Sequence, residues 1–302
     1  MIGVNRAPSS LMQRCNAPLI EARINKLASM FVDTVGSAAL LLLLICASAC
    51  GRKTLEPSAL ASPPVFNDQQ IANLSTKKVF FGHQSVGNNV VQGIRDLMSA
   101  DPRLRMNIVK SADPQLIPAP AFVEFEIGRN GDPQSKNQAF AAILDKGMGA
   151  QGGIAMFKYC YVDIDSSTDV PKMVEDYRAE ISTLKAEYPT LKIVHFTVPL
   201  TTVEPTTKAW IKGLLGRTTT QDVNVKRNEF NNLLRKTYSG VDPIFDLAQV
   251  ESTHPDGTRS YFTRESNTIY TLAPELTTDG GHLNEAGRQA AAEALLQVLA
   301  GL

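Results

Sequence analysis

The chain has 302 residues, 43% of them hydrophobic, and its 30 basic side chains equal its 30 acidic ones, the composition of a globular protein with length for one well-buried domain. The first 49 residues carry four basic side chains (Arg6, Arg14, Arg23, Lys26) and two acidic ones (Glu21, Asp33), so 26 face 28 in the remainder. A net charge near −2 without a basic stripe excludes the electrostatic footprint of a nucleic-acid binder.

The first element is an apolar segment, GSAALLLLLICASAC over residues 36–50, whose core is shorter than the roughly 20 residues that span a bilayer. Basic residues precede it and small residues close it, the layout of an export signal; an uncleaved anchor helix is the competing reading. The lead is long for a signal, and a start at Met12 or Met30 would shorten it. Ala47-Ser48-Ala49-Cys50 resembles a bacterial lipoprotein lipobox, with Ala47 where leucine is commoner. That resemblance implies that residues 1–49 are removed as a signal peptide and that Cys50 is acylated. The protein would then be anchored in the bacterial cell envelope, and Gly51, being no retention aspartate, points to the outer membrane. Cys15 and Cys46 would leave with the signal, so Cys160 stands alone, expected as a packing residue without a disulfide. No Cys-x-x-Cys or His-x-x-x-His spacing calls for zinc, and no motif calls for a cofactor.

Residues 50–76 lack an apolar period and read as a flexible tether, which puts the folded domain at 77–302. There strand and helix patterns alternate. Val79 to Gly82 is a short apolar run, and Val90, Val91, Ile94, Leu97 and Met98 fall at helical spacing. Met106 to Val109 and Phe122 to Ile127 read as strands on either side of a Pro-rich passage, then Ala139, Phe140, Ile143 and Leu144 mark a helix. Ile154 to Phe157 is strand-like. Pro171 suits a helix start, ahead of Val174, Tyr177, Ile181 and Leu184. Leu191 to Phe196 is a strand run, Val223 to Tyr238 is amphipathic, and Ile244-Phe245 is a short strand. Asn284 can cap a last helix containing Ala291, Leu295, Val298 and Leu299. Such alternation implies a mostly parallel sheet covered on both faces. The long passages 198–221 and 250–278 are placed to shape a cleft.

Ligands in such sheets sit beyond the C-terminal ends of the strands. Ser85 follows the first strand and opens a helix, where free N–H groups favour a developing oxyanion; the same position suits a plain N-cap. Asp279 and His282 come late, in TTDGGHLNEAG, and one loop can supply both a base and the carboxylate that orients it. Asp246, ending the IFD strand, is the competing acid. His83, Lys158 and Tyr159 are placed to line a substrate pocket, or to bond locally and face solvent. His195 reads as a strand residue and His254 as part of a surface turn.

A serine after the first strand, a Gly/Asn loop before the second helix and a late Asp-x-x-His resemble the SGNH hydrolases, or GDSL esterases, over residues 77–302. The resemblance implies an α/β fold, a three-layer α/β/α sandwich on a mostly parallel, flavodoxin-like sheet. The family's Gly-Asp-Ser reads here as Gly82-His83-Gln84-Ser85, one residue longer and without the aspartate. Its glycine oxyanion donor corresponds to Gly131, less well to Gly128, with Asn130 adjacent. Its Gly-x-Asn-Asp block aligns with Cys160-Tyr161-Val162-Asp163, where Val162 replaces the asparagine that completes the oxyanion hole. The resemblance thus implies a Ser85–His282–Asp279 unit, an oxyanion hole from the Ser85 and Gly131 amides with Asn130, and an ester substrate, an acetylated polysaccharide being the favoured class. Two rivals keep the same residues. One is an O-acetyltransferase that passes the acyl group to a sugar hydroxyl; the other is a glycan-binding lipoprotein on a decayed hydrolase fold, which Val162 favours and the intact triad opposes.

Overall fold

The computed structural model describes residues 65–302. The signal segment, Cys50 and most of the expected tether lie outside the described residues. Five strands form the central sheet: β1 (Lys78–His83), β2 (Ile108–Lys110), β3 (Ala121–Glu126), β4 (Gly153–Phe157) and β5 (Leu191–Ile193). Their order is β2-β3-β1-β4-β5, every pairing is parallel, and β1 sits at the centre. Parallel strands need covered crossovers, so the central strands β1 and β4 are apolar on both faces. Val79 and Phe81 join one core with helices α2 (Val86–Ala100) and α8 (Glu285–Ala300). Phe80 joins the opposite core with α3 (Pro133–Ile143), α4 (Val170–Glu187) and α6 (Thr220–Tyr238). The result is the expected three-layer α/β/α fold on a mostly parallel sheet.

Three local readings need correction. The domain begins near Phe66, not Lys77: Asn67 and Gln70 form a reciprocal cap on helix α1 (Asp68–Ser75), and Phe66 and Leu74 are buried in the core. The run 191–196 is two strands, because the chain changes partner within it. Val194 N–H still donates to Ala155 O on β4 (3.0 Å), but His195 N–H turns to Pro243 O (2.9 Å), and β6 (His195–Phe196) pairs with β7 (Ile244–Phe245). The two long passages also contain structure. The first holds α5 (Thr206–Leu214); the second runs from the end of α7 (Leu247–Ser252) through an antiparallel hairpin, β8 (Tyr261–Arg264) with β9 (Asn267–Tyr270).

Candidate active site

The C-terminal ends of β1, β3 and β4 deliver three loops to one edge of the sheet. Ser85 leaves β1 in a tight turn into α2, with φ 54° and ψ −115°, a sparsely populated conformation for a non-glycine residue. The turn is closed enough that a Cβ on Gly87 would lie 2.4 Å from the His83 Cβ. Although Ser85 holds the N-cap position, its side chain makes no capping bond. Its hydroxyl instead meets His282 Nε2 at 2.7 Å. Gln84 pins the turn to the neighbouring loop by donating Nε2 hydrogen bonds to Ile127 O (2.7 Å) and Gly128 O (2.6 Å).

The loop before α8 arranges the other half. Asp279 Oδ1 accepts the N–H groups of Gly281 (2.9 Å) and His282 (2.8 Å), and Oδ2 faces His282 Nδ1 at 2.7 Å. The His282 backbone N–H, then that of Gly281, then the imidazole hold the Asp279 carboxyl well below the usual carboxylate range. An ionised carboxylate only accepts, so the Nδ1 side of His282 carries the proton and Nε2 is left to accept from Ser85. Two contacts bring these distant segments together. Asn89 Oδ1 on α2 accepts the Leu283 N–H (3.2 Å), and Gly93 lets α2 approach α8 so closely that a Cβ there would lie 2.1 Å from Arg288 O. Neither Asn89 nor Gly93 announces itself in the sequence, since each acts on a partner about 195 residues away.

Of the expected oxyanion donors, the Gly131 amide is used elsewhere, while Asn130 is held through its oxygen and keeps its Nδ2 donor. Gly131 N–H donates to Asp163 Oδ1 (2.7 Å), and Asn130 Oδ1 accepts from Lys136 Nζ (3.0 Å). Lys136 also pairs with Asp163 Oδ2 at 2.5 Å, where Cys160 N–H arrives at 2.6 Å; both charged side chains are fully buried. Asp163 therefore organises the 128–131 and 160–163 loops, and the Gly131 amide is not free to receive an oxyanion. Val162, in the asparagine's place, is 47% exposed. The Ser85 N–H has no acceptor among the described residues and stands at the start of a 15-residue helix. Another available donor is one the sequence did not single out. Tyr161 packs its hydroxyl against Gly281 and its ring edge-on to His282, with centroids 5.7 Å apart. Burial first, then the Asp279 charge, push the phenol up. Tyr161 thus stays protonated, able to donate on the His282 side of the cleft.

The remaining candidates fall outside the cleft. His83 is 1% exposed and bonded to Glu124 (3.1 Å), and burial lowers its pKa. Lys158 is buried, donating to Tyr159 O (3.1 Å) and Cys160 Sγ (3.3 Å), and the buried Tyr159 hydroxyl bonds Asn137. These three, expected at a substrate pocket, are core polar groups, because strand ends between two helix layers are already covered. Cys160 is a buried free thiol. Asp246 caps α7 and takes two bonds from Arg235 (2.7 and 2.8 Å), so it is spoken for as an acid. His195 is enclosed between Tyr177 and Asp242, and burial brings its pKa down to about 4. The open cleft beside the relay measures about 420 Å³ and is lined by Tyr161, Val162, Arg227 and Asp279 to Gly281, among others. Among the described residues no group of three His, Cys, Asp or Glu side chains is arranged to hold a metal ion.

No protein-family model and no curated protein matches the chain. Solved structures do. A GDSL-like lipase from Bacteroides thetaiotaomicron is 12% identical, with a TM-score of 0.44 over 74% of this chain and 88% of that one. A catalytic mutant of an acetylxylan esterase from Geobacillus stearothermophilus is 15% identical, at 0.38 over 74% and 94%. The C-terminal domain of the Drosophila Oskar protein is 12% identical, at 0.36 over 77% and 95%. The likeness is one of fold, and a fold hosts many functions. Any assignment of chemistry rests on the side-chain geometry.

Proposed function

We propose that this chain is a serine ester hydrolase, resembling the SGNH hydrolases, that works through an acyl-enzyme. The observation that carries the reading is the unbroken relay from Ser85 Oγ through His282 to Asp279, with 2.7 Å at each step. His282 Nε2 takes the Ser85 proton as Oγ attacks the ester carbonyl, and Asp279 stabilises the imidazolium. The Ser85 amide and the Tyr161 hydroxyl receive the oxyanion, the second in place of the asparagine that Val162 displaces. The imidazolium then protonates the leaving alcohol, and water activated by the same nitrogen releases the acid. The substrate class we favour is an acetyl ester on carbohydrate, and the location a cell envelope, with the chain anchored through Cys50. The threonine hydroxyls of the 420 Å³ cleft support a polar substrate.

A fluorophosphonate label followed by peptide mapping tests the reading. The label should fall on Ser85, disappear in His282→Ala, and track the loss of 4-nitrophenyl acetate turnover. A folded protein that leaves Ser85 unlabelled, or carries the label on another serine, refutes it.

A further inference from the structure

The cleft beside the relay contains a buried cation without a counter-charge. Arg227, on α6, is only 5% exposed, and its guanidinium lies 5.5 Å from the centre of the Tyr161 ring. A guanidinium has five N–H groups, and protein acceptors take three of them here. Nε donates to Tyr161 O (3.0 Å), and Nη1 donates to Thr201 Oγ1 (2.8 Å) and Asn224 Oδ1 (3.0 Å). All three acceptors are neutral oxygens. The two N–H groups on Nη2 have no acceptor among the described residues, and Arg227 lines the open cleft.

The surrounding charges leave this one unbalanced. Glu251 is the acid whose field reaches Arg227, but burial pushes its carboxyl up to about 8, so near neutrality it is largely uncharged. Lys212, also on the cleft wall, is paired with Glu204 at 2.7 Å, and the Asp279 carboxylate is turned to the His282 imidazole and the N–H groups of its own loop rather than to Arg227. Burial lowers the Arg227 pKa to about 10, which still leaves it ionised at neutral pH. Holding an unpaired charge out of water is costly, and a ligand that brings the opposite charge removes that cost. The Thr202 hydroxyl on the same wall, whose bond to Gly280 O is long at 3.5 Å, can turn to complete the coordination of an oxyanion.

We propose that Arg227 is a specificity-determining residue: its Nη2 receives a carboxylate or a phosphate monoester carried by the same molecule as the ester that Ser85 attacks. The substrate is thus an anionic ester, and the inference rests on the hydrolase reading above.

Three aryl acetates test it on the full chain: neutral methyl 4-acetoxybenzoate, anionic 4-acetoxybenzoate and 4-acetoxyphenyl phosphate, each kcat/KM divided by the uncatalysed rate. The wild type should favour an anionic ester by roughly ten- to hundredfold, the size of a hydrogen bond to a charged group. The preferred anion names the source, carboxylate or phosphate. Arg227→Gln should bring the preference near one, and Arg227→Lys should keep part of it. Arg227 also ties α6 to the 161 and 201 backbone segments, so Val162→Glu provides a second variant at an exposed wall position. Its added carboxylate should lower the preference through KM for the anionic esters. A wild-type preference near one, or a preference untouched by both Arg227→Gln and Val162→Glu, overturns the proposal. Titration of the Ser85→Ala protein with 4-hydroxybenzoate and phenyl phosphate against phenol separates the two readings. Hydrolysis through Ser85 without anion preference sinks this inference alone. Anion binding that needs Arg227, in a protein that hydrolyses nothing, sinks the hydrolase reading alone.

Discussion

Two serine–histidine–carboxylate chains occur among the described residues, and their serines stand in different backbone surroundings. Ser260 Oγ meets His254 Nε2 at 2.9 Å while His254 Nδ1 bonds Glu275, the same connectivity as Ser85, His282 and Asp279. His254 even borders the larger space, an apolar groove of about 580 Å³ between α7 and α8. The difference lies in the backbone around the serine. The Ser260 N–H donates to Ser252 O (2.7 Å) and its carbonyl accepts from Thr271 (3.1 Å), so its own amide is not free for an oxyanion. The Ser85 amide has no acceptor among the described residues and stands at a helix start, and Tyr161 packs edge-on to the His282 that Ser85 meets. A proton relay is thus easy to assemble from neighbouring polar side chains. What distinguishes a catalytic serine is the donor set around it.

The largest expected effect is a direct contest between the serines. Ser85→Ala should lower acetyl-ester turnover about a millionfold and match the double variant Ser85→Ala/His282→Ala, because relay members act as a unit. Ser260→Ala should stay within about twofold of the parent, as ordinary surface substitutions do; a large loss there would erase the distinction. Next come the two acids. Asp279→Asn should cost about ten-thousandfold in kcat by misorienting the imidazole, and Glu275→Gln almost nothing. Because backbone N–H groups hold Asp279 ionised far below the usual range, it should add no inflection to the rate between pH 5 and 9. A carboxylate inflection near pH 5 that vanishes in Asp279→Asn would contradict that assignment.

Tyr161→Phe probes the donor set itself. Loss of one oxyanion donor typically costs about a hundredfold or more in kcat, with KM little changed; an unaltered kcat would remove the Tyr161 phenol from the donor set. The smallest effect is indirect. Gly93→Ala would force α2 and α8 apart at the Arg288 carbonyl, with a stability loss of about 1–3 kcal/mol from overpacking. Turnover should fall roughly tenfold as Ser85 and His282 separate, measured with urea unfolding beside kinetics. Equal activity in that variant would show that the relay tolerates helix displacement.

Much of this could be read from the chain because the signals are local. The alternation of apolar runs and helical spacings gave the layers, and Asp279 to His282 is a four-residue loop whose geometry follows from its own hydrogen bonds. The Gly131 assignment failed because its amide answers to Asp163, 32 residues away and buried on Lys136. Helix α1 escaped notice because its apolar face is little more than Ile71 and Leu74, and a cap rather than a period starts it. Arg227 and Tyr161 look ordinary in sequence. They matter through what the cleft leaves unpaired, which no spacing encodes.

The first described segment bears on how the molecule is presented. Arg103, just past the end of α2, holds Asp68 (3.0 Å) and Phe66 O (3.4 Å), and Asn73 donates to Ala300 O at the end of α8 (3.2 Å). Helices that return along a parallel sheet end at the edge where its strands begin, so the chain enters the domain at that edge. Ser85 lies at the other, beyond the six residues of β1, about 20 Å away. The point where the described chain enters the domain and the cleft thus lie at opposite edges of the sheet, so whatever precedes Phe66 joins the domain away from Ser85.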